Sequence, residues 1–384
     1  MINSILKNLD KSMRKKRIIK SADIFCKVID NFGDAGFSWR LAKALKNEKN
    51  IIITLWINEL SVLQKICSKV KVLQEEQYVD NIKIINSKKK EYLPSDLVIE
   101  IFGSKLPIEY IKKMMEMKIQ PVWINLEYLS AEPWIEAYHL LPSLHPKYSL
   151  KKYFFFPGFT KKTGGFLKEI DYEKKIKNFS EQKKKLFDDL GIDKSKTQIL
   201  VSFFCYEFSP LEYLLKEMIN GPPVICLIPE FLIDNFNLCD QKLRYFSNCK
   251  NIKIIFFPML DQNIYDQLLL SCDLNFVRGE DSFIRAQISS KPFIWQPYKQ
   301  VKKTHLVKLD FFLEKFCSDL SKDNALIYKS FNYWWNNKRS NKCNWNKLIK
   351  ILPVLKSHGE KWSKDTKNNS CLVDRIFDFA ENIS

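Results

Sequence analysis

The sequence has 384 residues, with 62 Lys and Arg against 44 Asp and Glu and a formal charge of +18. Its 46% apolar and 28% charged residues exclude a mainly disordered chain, and its length suits two domains. No apolar run approaches the roughly 18 residues of a membrane-spanning helix, so no membrane association is expected.

Residues 1–21 read as a basic tail, with KSMRKKRIIK at 11–20. No apolar stretch of signal-peptide type follows it. DIFCKVI (23–29) is predicted as a strand, DNFGDAG (30–36) as a loop with two glycines, and FSWRLAKALKN (37–47) as a helix. Phe37, Leu41, Ala44 and Leu45 share one face of that helix. IIITLWI (51–57), NIKIIN (81–86), DLVIEIF (96–102) and PVWINLE (121–127) continue the strand series. FFFPGFTKKTGG (154–165) closes a first unit, 22–165. A linker, 166–195, then carries one Lys-rich surface helix over 173–191.

The pattern restarts in a second unit, 196–360, with strands at 197–205, 222–228, 251–258, 272–277 and 291–296. A terminal segment, 361–384, contains a helix at 371–382 that is expected to pack back on the first unit. Strands alternating with helices imply parallel sheets. The fold class is therefore α/β, with two Rossmann-like, doubly wound domains facing across a cleft. Ligands of such sheets bind at the carboxyl ends of the strands.

The ten cysteines have no paired spacing and sit mostly inside apolar strings, and the four histidines are scattered. That pattern disfavours zinc and suits a reducing cytoplasm. The excess positive charge fits nucleic acid, an anionic surface or an acidic protein, or reflects a Lys-rich background. No RNA-binding signature of the RRM or KH type is present, so no nucleic-acid partner is expected. A non-catalytic basic RNA- or ribosome-binding protein is kept as the rival reading.

Two stretches at strand ends carry candidate chemistry. Asp30 and Asp34 in DNFGD suit a cation or a proton-losing substrate, one as general base and one as clamp. An Asp at this place also caps a helix. In FVRGEDSFIRAQ (276–287), Arg278 is placed to meet a diphosphate together with the N-terminus of the following helix. Glu280, Asp281 and Ser282 open that helix, where such residues are also favoured for capping. Phe204 and Tyr206 in SFFCYE, and Met259, Gln262 and Tyr265 in FPMLDQNIY, are candidates for a base pocket. The chain lacks the fingerprint GxGxxG, which disfavours a dehydrogenase.

DIFCKVIDNFGDAGFSWRLAKAL, INLEYLSAEPW, FFFPGFTKKTGG, SFFCYE and FVRGEDSFIRAQ, in this order, resemble the bacterial elongation factor P arginine rhamnosyltransferase family. The likeness extends from about residue 22 to 310. It implies an inverting glycosyltransferase of GT-B fold. The donor would be dTDP-β-L-rhamnose, and the acceptor one arginine of elongation factor P, an acidic protein. The resemblance places Asp30, Asp34 and Glu280 at catalytic positions. It places Phe204, Tyr206, Met259, Gln262, Tyr265, Arg278, Gly279, Asp281 and Ser282 at nucleotide-sugar positions. Met259 stands where an aromatic residue is usual, Tyr265 where Phe is commoner, and Gln296 where His is frequent. INLEYLSAEPW is read as an acceptor-side or hinge element without a catalytic role. No Asp-x-Asp motif occurs, so neither metal nor other cofactor is expected. A GT-B enzyme with another acceptor, such as a lipid-linked sugar, is the nearer alternative.

Overall fold

The structure, a computed structural model, describes residues 16–89, 91–177, 179–236, 245–246, 249–337, 343–368 and 371–383. Residues 1–15 of the expected basic tail lie outside the described residues.

The first domain runs β1 (Ser21–Cys26), α1 (Asn31–Lys49), β2 (Ile52–Ile57), α2 (Leu60–Ile66), β3 (Glu76–Val79) and β4 (Ile82–Asn86). It continues through β5 (Leu97–Ile101), α3 (Ile108–Glu116), β6 (Val122–Leu126), α4 (Ile135–Tyr138), β7 (Pro142–Leu144) and β8 (Lys151–Phe155). Its sheet has the order β3-β4-β2-β1-β5-β6-β8-β7. β5 and β6 are buried along their whole length, so their sequences are nearly continuous apolar runs.

Next come α5 (Tyr172–Lys177) and α6 (Phe179–Asp189). The second sheet is built by β9 (Ile199–Phe203), α7 (Leu211–Met218), β10 (Val224–Pro229), α8 (Phe231–Asn235), β11 (Ile252–Phe257) and α9 (Gln262–Ser271). β12 (Leu274–Arg278), α10 (Asp281–Ile288) and β13 (Phe293–Gln296) complete it, in the order β11-β10-β9-β12-β13. Helices α11 (Thr304–Phe316), α12 (Lys322–Trp335), α13 (Trp345–Lys350), α14 (Leu352–Asn368) and α15 (Leu372–Asn382) follow.

Four sequence expectations need correction. The first sheet is not wholly parallel, because β3 pairs antiparallel with β4 and β7 with β8. Asp80 and Asn81, both with positive φ (51° and 60°), supply the two-residue turn between β3 and β4. β1 ends at Cys26, three residues before its expected end. The expected loop DNFGDAG instead forms the first turns of α1. Here one Asp34 oxygen, Oδ2, accepts the backbone N–H groups of Ile29 and Asp30, each at 2.8 Å. That back-bond resembles a capping box and offsets the poor helix propensity of Asn31, Gly33 and Gly36. Finally, the Lys-rich segment forms two helices, α5 and α6, rather than one.

One apolar core continues through both domains, and the Phe32 and Phe204 rings meet across the boundary at 6.0 Å. α14 packs on the second domain, where Ser363 donates to the Ile288 carbonyl at 2.9 Å. α15 packs on the first. Lys49 pairs with Asp374 at 2.5 Å, and the Phe379 ring lies 5.0 Å from Tyr153. Residues just before β1 join the same contact, the Arg17 N–H donating to the Glu381 carbonyl at 2.9 Å. Among the described residues no helix is long and apolar enough to cross a membrane.

Candidate active site

The two sheets point their carboxyl ends at each other, and two cavities lie between them. The larger has Phe32 and Gly36 of α1 on one side. Phe204, Met259, Tyr265 and Arg278 of the second domain form the other side. The smaller is lined by Asp30, Tyr128, Gly279, Glu280, His305 and Lys308 among others. The turn 278–280 and the start of α1 separate them.

Asp30 is wedged into that partition. The chain turns at Asn31 with φ 37°, a conformation that Asn tolerates better than most residues. A Cβ on Gly33 would lie 2.7 Å from Asp30 Oδ2, so glycine is required for the carboxylate to fold back over the helix. Gly279 has φ +61°, and a Cβ there would also strike Asp30. The Tyr206 hydroxyl lies 2.7 Å from both Asp30 oxygens and donates to the carboxylate. Burial raises the Asp30 pKa to about 7, opposed by the Tyr206 hydrogen bond and the positive field of Arg278.

Asp34 is 1% exposed, and burial raises its pKa also. Its Oδ2 is committed to the backbone, while Oδ1 has, among the described residues, only a long 3.4 Å contact with the Tyr128 hydroxyl. Glu280 is also buried, and desolvation raises its pKa to about 7, with Lys308 opposing. Its Oε1 accepts the Leu129 N–H, and its Oε2 lies 3.7 Å from Lys308 Nζ. The segment INLEYLSAEPW, read from sequence as lacking a role in the chemistry, thus supplies groups touching both Asp34 and Glu280.

Arg278 is sandwiched by aromatic rings, its guanidinium carbon 4.8 Å from the Phe204 centroid and 4.5 Å from Tyr206. Nη1 donates to the Cys205 carbonyl at 3.1 Å. Arg278 also lines the larger cavity. Ser282 caps its own turn, accepting the Arg278 N–H and donating to the Arg278 carbonyl. The Tyr265 hydroxyl in the cavity wall is buried and has no hydrogen-bond partner among the described residues. Such an orphan is costly unless a ligand satisfies it.

The sequence profile of the family described as elongation factor P (EF-P) rhamnosyltransferase EarP matches residues 22–381. The chain belongs to the EarP family. It is 34% identical over 371 residues to the protein-arginine rhamnosyltransferase of Pseudomonas aeruginosa, covering 94% of this chain and 98% of that one. It is 34% identical over 391 residues to the protein-arginine rhamnosyltransferase of Shewanella oneidensis, covering 94% and 97%. Among solved structures, one concerns the structural basis for EarP-mediated arginine glycosylation of translation elongation factor EF-P. It superposes with a TM-score of 0.64 at 23% identity, over 95% of this chain and 99% of that one. The EarP-family chain is thus a glycosyltransferase with the two-domain GT-B fold.

In this EarP-family chain the three acidic candidates, Asp30, Asp34 and Glu280, converge. Phe204, Met259, Gln262, Tyr265, Arg278, Asp281 and Ser282 all line the larger cavity. Gly279 lines the smaller one instead, and Tyr206 stands in the partition. Two candidates are held by protein groups. Gln262 donates to the Gly36 carbonyl (2.8 Å) and to Asp281 (3.0 Å), and accepts from Lys43 (3.0 Å). Asp281 accepts from Arg40 Nε at 2.8 Å. Sequence reasoning missed Arg40, Tyr128 and Lys308. Arg40 and Tyr128 each lie inside one of the recognisable blocks, but nothing there marked their roles. Gln296 braces the site from behind, its Oε1 accepting the Tyr206 N–H at 2.9 Å and the Ser209 hydroxyl at 2.8 Å.

Proposed function

We propose that this enzyme transfers L-rhamnose from dTDP-β-L-rhamnose to an arginine side chain of elongation factor P, with inversion at the anomeric carbon. One observation carries the reading: an aromatic cavity holding a cation adjoins a second cavity lined by Asp30 and Glu280, with buried Asp34 reaching Tyr128 of that second lining. The first suits a nucleoside diphosphate, and the second a guanidinium. The family to which the chain belongs and the names of its relatives support the same acceptor chemistry. The charge of +18 suits an acidic protein acceptor. The nine described cysteines are all free, which fits a cytoplasmic enzyme.

The acceptor guanidinium is a poor nucleophile, because its lone pairs are delocalised and its pKa lies above about 12. In the proposed step one of its nitrogens attacks the anomeric carbon as the bond from that carbon to the diphosphate oxygen breaks. The electron pair leaves on dTDP, and a guanidinium proton passes to Asp34. Asp34 suits the role because Oδ2 is pinned and Oδ1 keeps a lone pair available. Asp30 orients the cation. Arg278 balances charge on the departing diphosphate. Glu280 and its Lys308 partner hold the 127–130 segment against the sugar side.

Incubating the enzyme with its own elongation factor P and dTDP-β-L-rhamnose, then weighing the acceptor, should reveal one added deoxyhexose on an arginine. An unchanged acceptor mass would sink the proposal. No metal enters this mechanism, so the same gain is expected in excess chelator; a chelator-sensitive reaction would refute that part.

The pH profile gives an independent check. The carboxylates must be ionised to hold and deprotonate the acceptor, so kcat/KM should fall on the acid side with an apparent pKa near the 7 of Asp30. Tyr206 lowers the Asp30 pKa by donating to the ionised form. Tyr206→Phe is therefore expected to move the acid limb to higher pH, in a profile measured from about pH 5.5 to 9. A limb that stays in place, or moves down, would separate Asp30 from the titration.

A further inference from the structure

A third cavity, of about 450 Å³, lies at the opposite end of the second sheet. Its lining includes Ile199, Asp273 and Pro292, at or next to the first residues of β9, β12 and β13. The same strands end at the active site, leading into Phe204, Arg278 and Gln296. Five strand residues at about 3.3 Å each put roughly 17 Å between the two. This third cavity is therefore separate from the proposed donor and acceptor sites.

Its charge is lopsided. Lys194, Lys196, Lys291 and Lys356 face a single carboxylate, Asp273. Asp273 is already used: its Oδ2 lies 3.2 Å from Lys194 Nζ and accepts the Leu200 N–H at 2.8 Å. Among the described residues, Lys196, Lys291 and Lys356 make no ion pair. Lys291 is half-buried at the cavity wall. Burial lowers its pKa, and Lys183 and Lys356 push it the same way against the pull of Asp273. Four lysines beside one carboxylate that is already paired leave an excess of positive charge in this concavity, which an anion would offset. Beside the lysines lies an apolar wall of Ile349, Leu352 and Pro353.

We propose that this cavity is a second binding site, for a phosphate-bearing small molecule whose apolar part packs on Ile349 and Leu352. Several lysines lining one cavity favour a multiply charged group over a single carboxylate. The concave shape and apolar wall favour a small organic phosphate over a nucleic-acid strand, which would track an open basic groove.

Phenyl phosphate is a suitable probe, with inorganic phosphate to isolate the apolar contribution. Binding would be followed by calorimetry near physiological salt for the wild type, Lys291→Ala/Lys356→Ala and Arg278→Ala. The Arg278 change removes the cation of the active-site cavity. Wild type and Arg278→Ala should bind phenyl phosphate with the same Kd, and more tightly than inorganic phosphate. The double lysine variant should lose at least tenfold. Lys196→Ala/Lys356→Ala changes only exposed side chains, so it keeps the test valid if loss of Lys291 perturbs folding, and it too should weaken binding. No saturable binding by the wild type would overturn the assignment, as would equal binding by both lysine variants. Loss only with Arg278→Ala would place the anion in the catalytic cleft. Preference for a single-stranded oligonucleotide over phenyl phosphate would replace the small molecule with nucleic acid.

Discussion

Asp34→Asn is expected to lower turnover by about 10³-fold, within the range of roughly 10² to 10⁴ that a positioned general base contributes. Binding of dTDP should change little. The substitution is informative because it spares the fold. An amide oxygen at position 34 still accepts the Ile29 and Asp30 N–H groups that start α1. What is lost is the basic lone pair on the oxygen facing Tyr128. The proposed donor cavity is lined by other residues, so dTDP should still raise the melting temperature. Single-turnover assays with nucleotide-dependent melting on the same sample would distinguish the outcomes. Turnover near that of the wild type would remove Asp34 as base and leave Asp30, whose oxygens both face the Tyr206 hydroxyl, as the remaining candidate.

The largest expected loss of stability comes from Arg40→Met. Arg40 is fully buried and meets three carboxylates. It bonds Asp281 at 2.8 Å through Nε, Glu169 at 2.8 Å through Nη1, and Asp266 at 2.9 Å through Nη1. Arg285 shares two of them, reaching Glu169 at 2.5 Å and Asp266 at 3.1 Å. Without Arg40, three buried carboxylates face one guanidinium. Breaking a buried pair from one side costs about 3–5 kcal/mol, because an uncompensated charge remains. Urea denaturation should register a loss of that order, together with weaker dTDP binding through the freed Asp281. A loss below about 1 kcal/mol would mean that the network relaxes or admits water. Arg40→Lys should not rescue it, since one ammonium cannot reproduce a planar fork that bonds three partners.

The sheets were legible because their central strands, such as β5, β6, β10 and β12, are buried along their whole length and give largely apolar runs. The short antiparallel edges were not, since three residues at Pro142–Leu144 carry no pattern. The start of α1 was hidden by its own chemistry. Asn31, Gly33, Asp34 and Gly36 are turn formers by propensity, and the Asp34 back-bond together with burial of Phe32 and Phe37 favours the helix. The two glycines serve close approach: a Cβ on Gly36 would sit 3.1 Å from Asp281 Oδ2, across the domain boundary. The catalytic candidates could be recognised because they cluster in two short stretches at strand ends. Arg40 could not, for its partner Asp281 lies 241 residues away, and nothing local distinguishes it from a solvent-facing helix arginine. Lys308, on α11, is silent in the same way, since only the folded chain brings it to Glu280.

The return of α15 to the first domain has a mechanical consequence. The polypeptide crosses between the domains twice, once after β8 and once between α14 and α15. The crossings touch, with the Leu372 N–H donating to the Phe166 carbonyl at 2.7 Å. Two adjacent tethers set the covalent links between the domains side by side, like the spine of a book, and Glu169 of the Arg40 cluster lies three residues from that line at Phe166. Any swing about such a spine would bring Asp30 back to the same place against Gly279.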